Sequence, residues 1–316
     1  MSVTLDEWLG LIEHEYAATF IPFGGAAWRF AVGDDATVTA ALDGAARMAR
    51  RTGLVLVPIS AAATRVHMIH ELVHAICRHV PWQSLAQRFM ERLVASEGYS
   101  WPTSGESLPV AAIARANDVD AMLVRRQIQQ AFTRRVMREP RLSHDFRAGI
   151  SLICDAAMDP EHAAAAEPVL NWLRGNPVAL GDLRQAGISA RLNRTSARVV
   201  LRSVCSWIQM CGGQGLCLAV DLRQVSRPGT EGVKYTQAAV LDAFEVLRQL
   251  IDDSDALEGV LGICVSGPEF IDEQDTRRSV SAYTALKARI WSDVSAHERD
   301  NPLAPLVRLS PPGGQP

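Results

Sequence analysis

The residues that could do chemistry begin at a tight turn near the start of the chain. Residues 27–33 form a short apolar run ending at Gly33, and an alanine-rich helical pattern covers 35–51. Strand, turn and helix in this order are typical of a phosphate-binding loop, whose working letters are G-x-x-x-x-G-K-[ST]. In such a loop backbone N–H groups wrap the phosphates, while the lysine and the hydroxyl residue hold the charge and the magnesium ion.

The letters that do this work are absent from the turn. Laid from Gly33, the second glycine falls on Val38, the lysine on Thr39 and the hydroxyl residue on Ala40. A β-branched residue such as Val38 resists the positive φ that glycine accepts. Ala40 has no atom that could bind magnesium. The position of a phosphate loop is therefore kept without its chemistry.

Acidic residues give a second view of the same site. Asp34 and Asp35 suit the positive end of a helix dipole but would repel a triphosphate. A later apolar run, 215–221, ends in Asp221, the position of a magnesium-organising acid, and Leu222 stands where a water-activating glutamate is expected. Two interpretations stay open, a former nucleotide site and an ordinary strand–helix turn.

A formal zinc motif follows the second strand. His70, Glu71 and His74 form H-E-x-x-H, which on a helix places two imidazoles on one face and a general base beside them. This predicts, as an alternative, a zinc-dependent hydrolase or metallopeptidase. Both histidines lie beside the apolar stripe of the helix, and a chance match is the competing interpretation. The acids available as a third ligand are Glu91, Glu97 and Glu106.

Arginines are dense in the middle of the chain and suggest a further alternative, a DNA-binding accessory protein. Such side chains can contact phosphates, but a solvated helix face with acidic partners is the favoured interpretation. Aromatic residues are not interleaved with them, so a platform for stacking bases is not indicated. The arginines concerned are Arg125, Arg126, Arg134, Arg135, Arg138 and Arg141.

The elements that must position these residues follow from hydrophobic patterning. Continuous apolar runs of strand length are typical of parallel strands that are buried on both faces. Predicted strands cover 27–33, 54–60, 215–221, 260–267 and 305–309. Predicted helices cover 4–19 (with Thr4 as N-cap), 35–51, 64–80, 84–97, 108–138, 145–157, 162–173, 195–211, 236–251 and 279–292.

This pattern predicts an α/β doubly wound domain with a helical insertion. The expected division has an N-terminal half of the core at 1–82 and a helical subdomain at 83–213. The C-terminal half of the core follows at 214–309, and 310–316 are predicted to be a disordered tail.

Composition limits the class of protein. The chain is 48% apolar and 21% charged, with a net charge of −3, so bulk charge does not indicate nucleic-acid wrapping. Only Lys234 and Lys287 are lysines, and neither lies in the turn. The six cysteines form no C-x-x-C pair. The acidic first residues do not predict a secretory signal, and no apolar run reaches the roughly 18–20 residues of a membrane span. A cytoplasmic location without membrane contact is expected.

Several strings between about residue 20 and residue 309 carry a resemblance to a known family. The chain resembles the ATP-binding proteins of the bacteriophage-exclusion (BREX) type, P-loop ATPases that accompany helicases and methyltransferases in bacterial antiphage islands. The resemblance implies a P-loop NTPase-like fold with an AAA+/ASCE-type parallel sheet. The strings are Phe23–Gly25, Val32–Asp34, Gly215–Asp221, Ala243–Asp252, Gly267–Phe270, Tyr283–Ile290 and Asn301–Pro305.

The resemblance also implies roles for individual positions. Gly33 would open the phosphate loop, Thr39 would be its lysine, and Ala40 its hydroxyl residue. Asp221 would organise magnesium, Leu222 would be the catalytic glutamate, and Ser266 the polar sensor at the end of the fourth strand. Only Gly33, Asp221 and Ser266 match in kind. The vestigial and non-functional nucleotide site is therefore predicted at Gly33, Thr37, Val38, Thr39, Ala40, Asp221 and Ser266.

These departures fall on catalytic positions while the scaffold strings persist, which is the pattern of a pseudoenzyme. The sequence predicts a P-loop pseudo-ATPase without ATP hydrolysis, bound cofactor or catalytic residue. Its work would be protein–protein interaction, as a structural or regulatory subunit of an antiphage, DNA-processing complex. The expected partners are an active ATPase or helicase, a nuclease, a methyltransferase, or a second copy of the chain.

Overall fold

A computed structural model describes residues 3–102, 110–229, 231–291 and 301–310 of the protein. The chain divides into two compact units, one formed by Met1–His79 with Gln214–Pro316 and the other by Val80–Gly213. The predicted tail lies outside the described residues from 311 onward, whereas Ser310 belongs to the last strand.

The first unit is built on one six-stranded sheet in which every described pair of strands is parallel. Its strands are β1 (Val3–Thr4), β2 (Ala26–Val32), β3 (Val55–Ser60), β4 (Leu216–Asp221), β5 (Val260–Ser266) and β6 (Leu306–Ser310). Their order across the sheet is β1-β6-β2-β5-β4-β3. The predicted fold class, a parallel α/β sheet of P-loop NTPase-like type, is confirmed. In this order β5 lies between β2 and β4.

Thirteen helices are described. Their bounds are α1 (Leu5–Ile12), α2 (Asp35–Thr52), α3 (Ile69–His79), α4 (Trp82–Ser96), α5 (Val110–Ala116), α6 (Ala121–Phe132), α7 (His144–Met158), α8 (Ala163–Arg174), α9 (Leu180–Gln185), α10 (Ala197–Met210), α11 (Arg223–Ser226), α12 (Gln237–Asp252) and α13 (Thr284–Ile290). Glu13–Phe20 and Thr133–Met137 continue α1 and α6 as π-helical turns, and 3₁₀ turns lie at Pro160–His162, Ser254–Ala256, Pro268–Ile271 and Val280–Ala282.

Helices cover both faces of the sheet, as the apolar strands require. On one face α1 and α2 pack on the sheet through a buried cluster that includes Trp8, Met48 and Ile263. On the other face Trp28 lies over Gly262, where an added Cβ would collide with the indole ring. Trp28 there lines a small cavity together with Leu72 of α3 and Leu247 of α12. The glycine in β5 is thus required by the tryptophan on its neighbour.

The first strand was not predicted. Val3 and Thr4 pair with Leu309 and Ser310 at the edge of the sheet. Thr4 is also the N-cap of α1, where its hydroxyl accepts a hydrogen bond from Glu7 N–H at 3.3 Å. The predicted cap is therefore confirmed, but the residue serves strand and helix together.

The second unit consists of helices in the described part of the chain. Its core contains close aromatic contacts, with Phe89 and Trp207 ring centroids 4.8 Å apart and Trp82 and Phe146 centroids 6.2 Å apart. The helix predicted at 108–138 is wrong as one element, because the described residues form α5 and α6 with a break between them. Residues 108 and 109 lie outside the description.

All six cysteines are free and buried, as their positions in apolar runs predict. Burial raises the pKa of Cys217 to about 12, so its thiol stays protonated at neutral pH. Among the described residues, no helix combines the length and the apolar character needed to cross a bilayer.

Candidate functional site

The turn between β2 and α2 is shorter than a phosphate loop. Only Gly33 and Asp34 separate the strand from the helix, which already begins at Asp35. Val38, assigned to the second glycine, therefore lies one turn inside the helix. The residues that would wrap around a triphosphate are helical here. The phosphate-loop motif, counted from Gly33, therefore assigns loop positions to residues of α2.

The amino end of α2 is satisfied by its own chain. Asp34 is the N-cap, and its Oδ1 accepts a hydrogen bond from Thr37 N–H at 2.7 Å. The neighbouring Thr37 hydroxyl and this N–H hold the pKa of Asp34 below its ordinary value. Free N–H groups at a helix start are the natural binding site for phosphate. Here a carboxylate of the protein takes that position.

Gly33 is needed for packing. A Cβ at Gly33 would lie 2.9 Å from the Thr37 Cγ2 methyl group, closer than the two carbons tolerate. The Gly33 N–H donates to Ser266 O at 3.2 Å and so joins the turn to β5. Close approach of the helix to the turn therefore explains this glycine without a ligand.

The residues at the second-glycine, lysine and hydroxyl positions of the phosphate-loop motif make contacts within the protein. Val38 is 1% exposed and belongs to the core between α2 and the sheet. Thr39 is exposed, and its hydroxyl donates to Asp35 O, one turn earlier, at 2.8 Å. Ala40 is half-buried beside the same core.

Parallel strands nevertheless bring the predicted site residues to one edge of the sheet. Val32, the residue before Gly33, pairs with Ser266, and Asp221 pairs with Val265. Ligands of open α/β sheets bind outside this carboxyl edge. The strand pairing thus brings Gly33, Ser266 and Asp221 together at the location that the sequence predicts.

Arg223 covers the acid at this edge. Its Nη2 donates to Asp221 Oδ2 at 2.6 Å, and its Nε donates to Asp221 Oδ1 at 3.0 Å. The Arg223 backbone N–H also donates to Asp221 Oδ1 at 3.0 Å. Both carboxylate oxygens are therefore used by a bidentate guanidinium, the strongest type of side-chain ion pair. Magnesium could reach the carboxylate only if this fork moved.

The ion pairing continues across the edge. Arg223 Nη1 lies 3.4 Å from Asp35 Oδ1, and Arg227 Nη2 donates to the Asp35 carboxylate oxygens at 2.9 and 3.1 Å. Arg227 Nη1 lies 3.7 Å from Glu269 Oε1. We call these five residues, Asp35, Asp221, Arg223, Arg227 and Glu269, the edge network. It links the start of α2, the end of β4, α11 and the segment after β5.

Sequence reasoning missed the arginines of the edge network. The available signal was an arginine two positions after the strand-end acid, a spacing that lets one turn of chain fold the guanidinium back. The pairing with Asp35 spans 188 residues and requires the fold.

Ser266 and Leu222 are both taken up by internal contacts. Ser266 is buried, and its hydroxyl lies 3.4 Å from the Ser226 hydroxyl of α11. Leu222, which stands at the catalytic-glutamate position, is 1% exposed and donates its N–H to Val265 O at 2.8 Å. A buried leucine cannot activate water.

The edge network predicts a pH-dependent contribution to stability. Arg227 and Arg223 lower the pKa of Asp35 from its ordinary value of 3.8. A lowered pKa stabilises the folded state above the unfolded-state pKa, and this contribution is lost as pH falls through the folded-state pKa. The stability difference between the natural protein and Asp35→Asn should therefore be constant above about pH 5 and shrink below about pH 4.

The effect is expected to stay below about 1 kcal/mol, because ion pairs this exposed are screened by solvent. Urea denaturation at pH 7 and pH 3.5 measures it. Asp43→Asn, at an exposed position on the same helix, is the matched control. A difference for Asp35→Asn that grows on acidification would contradict the assignment.

Among the described residues, the H-E-x-x-H motif has no third ligand, and Glu106, one of the acids considered, lies outside them. His70 and His74 lie on α3 with ring centroids 6.5 Å apart and rings almost perpendicular. Within the described ranges, no group of three or more His, Cys, Asp or Glu side chains is arranged to hold a metal ion. Glu71 is half-buried beside them. The alternative of a zinc enzyme thus rests on two imidazoles and one acid, and the described residues do not supply a complete set of zinc ligands.

The arginines considered for DNA contact lie on and after α6 and are exposed. Arg134 pairs with Glu97 at 3.1 Å and Arg141 with Glu139 at 2.9 Å, as the interpretation of a solvated face predicts. Arg125, Arg126, Arg135 and Arg138 have no ion pair in the described part of the chain. DNA contact stays a hypothesis.

Comparison with known proteins matches residues 107–312 to the family model "BREX system ATP-binding protein BrxC/D". The matched range is more than half of the 316 residues. It contains the strand that ends in Asp221, α11 with Arg223, and β5 with Ser266. No curated protein and no solved structure matches the chain.

Proposed function

The chain belongs to the family of BREX system ATP-binding proteins BrxC/D, and we propose that it is a pseudo-ATPase of this family. It keeps the parallel sheet of an ATP-binding protein, does not hydrolyse ATP, and acts through contacts with other proteins. Proteins of this family are components of the bacteriophage-exclusion system, so the proposed setting is an antiphage defence complex.

The observation that carries the proposal is the edge network. The acid that would organise magnesium, Asp221, is held by Arg223, and the Thr37 N–H at the start of α2, where phosphate would bind, donates to Asp34. These contacts use the same groups that a nucleotide would use. The site is closed by its own side chains.

Opening this site for a nucleotide would be costly. Breaking the Asp221–Arg223 pair removes the bidentate contact between two side chains that are only 16% and 25% exposed, and leaves Arg223 with only its longer contact to Asp35. A triphosphate would also meet Asp34 and Asp35, which repel it. Neither lysine of the chain, Lys234 or Lys287, lies in the turn to offset that charge.

The proposed work is that of a structural or regulatory subunit. A fold that keeps its helices and sheet without a working pocket still offers surfaces to partners. The proposed partners are the active ATPase or helicase, nuclease or methyltransferase of the same defence system, or a second copy of the chain. Co-purification of the tagged chain with the products of neighbouring genes tests this part. Recovery of the chain alone, as a monomer, would count against it.

We expect no magnesium-dependent ATP turnover by the purified protein. The same result is expected for the double variant Thr39→Lys with Ala40→Ser, which restores the loop letters by sequence position. Both positions lie inside α2, so the new lysine would project from a helix and not from a loop. Phosphate release with Mg·ATP and calorimetric titration with a non-hydrolysable ATP analogue are the measurements.

The double variant should fold normally, because Thr39 is exposed and Ala40→Ser adds only a hydroxyl group at a half-buried position. Asp221→Asn in the natural background is the second control. Turnover that requires magnesium and disappears in Asp221→Asn would overturn the proposal.

A further inference from the structure

A cavity of about 340 Å³ lies beside the first half of β2. Its volume is within the range of small-molecule sites. Because β2 leads into Gly33 at its carboxyl end, this cavity is at the opposite end of the strand from the edge network. Its wall includes Tyr16, Phe20, Arg29 and Arg289.

The strand pairing explains why the cavity exists. β6 pairs with β2 only from Phe30 to Val32. In the described part of the sheet, Ala26–Arg29 has no strand on that side, although β5 pairs with it on the other. The space beside the strand is enclosed by side chains and not by another strand.

Arg29 is the unusual residue of this cavity. Its Nη1 donates to Trp28 O at 2.8 Å, its Nη2 donates to the Tyr16 hydroxyl, and its guanidinium carbon lies 4.2 Å from the centre of the Tyr16 ring. The Nε atom is buried and has no hydrogen-bond partner. No carboxylate among the described residues contacts this half-buried cation. A buried donor without a partner costs free energy, and a ligand that fills it is one explanation.

The second arginine of the cavity behaves differently. Arg289 Nη2 donates to Asp252 Oδ2 at 2.9 Å, so its charge is compensated within the protein. None of the described wall residues is acidic. Arg29 is therefore the only uncompensated charge among the described wall residues, and its sign calls for an anion.

The other walls define the rest of the ligand. Tyr16 and Phe20 meet edge to face with centroids 6.2 Å apart, and Phe20 is 48% exposed at the cavity. Rings placed in this way bury apolar or aromatic surface. An anion that is small and fully polar would leave these walls uncovered.

We propose that this cavity binds a small aromatic anion, whose carboxylate or phosphate contacts Arg29 and whose ring packs against Tyr16 and Phe20. A planar guanidinium matches either anionic group. The proposal does not depend on the state of the edge network or on the pseudo-ATPase assignment.

The test is calorimetric titration with three probes, benzoate, phenyl phosphate and the neutral analogue benzamide. At least one anionic probe should bind, and benzamide at least tenfold more weakly, which corresponds to about 1.4 kcal/mol. The stronger anionic probe identifies the group that Arg29 prefers. Equal affinity for benzamide, or absence of binding by both anions at millimolar concentration, would overturn the proposal.

Substitution locates the binding. Arg29→Met keeps the length of the side chain and should weaken the anionic probe at least tenfold, whereas Arg29→Lys keeps the charge without the fork and should have an intermediate effect. Arg47→Met, at an exposed position on α2, is the matched control and should leave binding unchanged. Equal weakening by Arg47→Met would place the probe elsewhere and reject the site.

A second readout separates binding from a structural role. Arg29→Met loses the hydrogen bonds to Trp28 O and the Tyr16 hydroxyl but no ion pair, so its unfolding temperature should fall only modestly. The bound probe should raise the unfolding temperature of the natural protein but not that of the variant. A large loss of thermal stability in Arg29→Met, with the probe bound as tightly as before, would assign Arg29 to structure and overturn the proposal.

Discussion

Replacing Phe270 by alanine is expected to lower the free energy of unfolding by about 3–5 kcal/mol, the usual cost of removing a buried phenylalanine. Phe270 is 1% exposed. Its ring stacks on Phe30 with centroids 6.2 Å apart and meets Phe244 edge to face at 5.9 Å. The three rings join β2, α12 and the turn after β5, so the cavity would open where three elements meet. Urea denaturation followed by circular dichroism measures the loss.

Phe23→Ala is the matched control. Phe23 is 91% exposed, so the same chemical change should alter stability by less than about 0.5 kcal/mol. Similar losses in the two variants would show that the aromatic cluster does not carry the stability assigned to it. A loss below about 1 kcal/mol for Phe270→Ala would have the same meaning.

The aromatic cluster also explains how the family could be identified from the sequence. Phe244 and Phe270 belong to two strings of the resemblance, Ala243–Asp252 and Gly267–Phe270, which are separated along the chain and in contact in the fold. Core residues of this kind persist because a change in their volume is costly. These sequence strings therefore reflect core packing, and they can be recognised whatever residues occupy the nucleotide site.

Buried strands were predictable for a related reason. β4 and β5 are covered on both faces, so their sequences are continuous apolar runs that polar loops interrupt. The helix predicted at 64–80 shows the limit, because it begins only at Ile69. The Tyr235 hydroxyl accepts from Val66 N–H at 3.3 Å and donates to Thr64 O at 2.9 Å. A contact from 171 positions away holds this segment out of the helix.

The location of the candidate site was predictable from the sequence, but the contacts of its residues were not. Its place follows from strand order, which brings Gly33, Ser266 and Asp221 to one edge. Its content depends on the length of the turn and on arginines whose partners are distant in sequence. The phosphate-loop motif assumes a loop of fixed length. That assumption does not hold here, because Asp34 caps a helix that begins at the next residue.

The pair Asp221 and Arg223 gives the second large expected effect. Asp221→Asn and Arg223→Gln should each lower the free energy of unfolding by about 1–3 kcal/mol, because each breaks the bidentate contact of a partly buried ion pair. The double variant should cost less than the sum of the two, with a coupling energy of about 1 kcal/mol or more. Denaturation of the four proteins under one buffer condition measures the cycle.

A matched cycle sets the scale for this coupling. Glu13 and Arg51 also form an ion pair, but the arginine is 58% exposed, so Glu13→Gln and Arg51→Gln should couple much more weakly than the substitutions at Asp221 and Arg223. An acid that serves magnesium would behave differently from Asp221. Its removal would relieve repulsion in the empty protein and abolish nucleotide binding, with little coupling to a neighbouring arginine. Additive effects at Asp221 and Arg223 would therefore favour an open metal site and contradict the closed edge of a pseudo-ATPase.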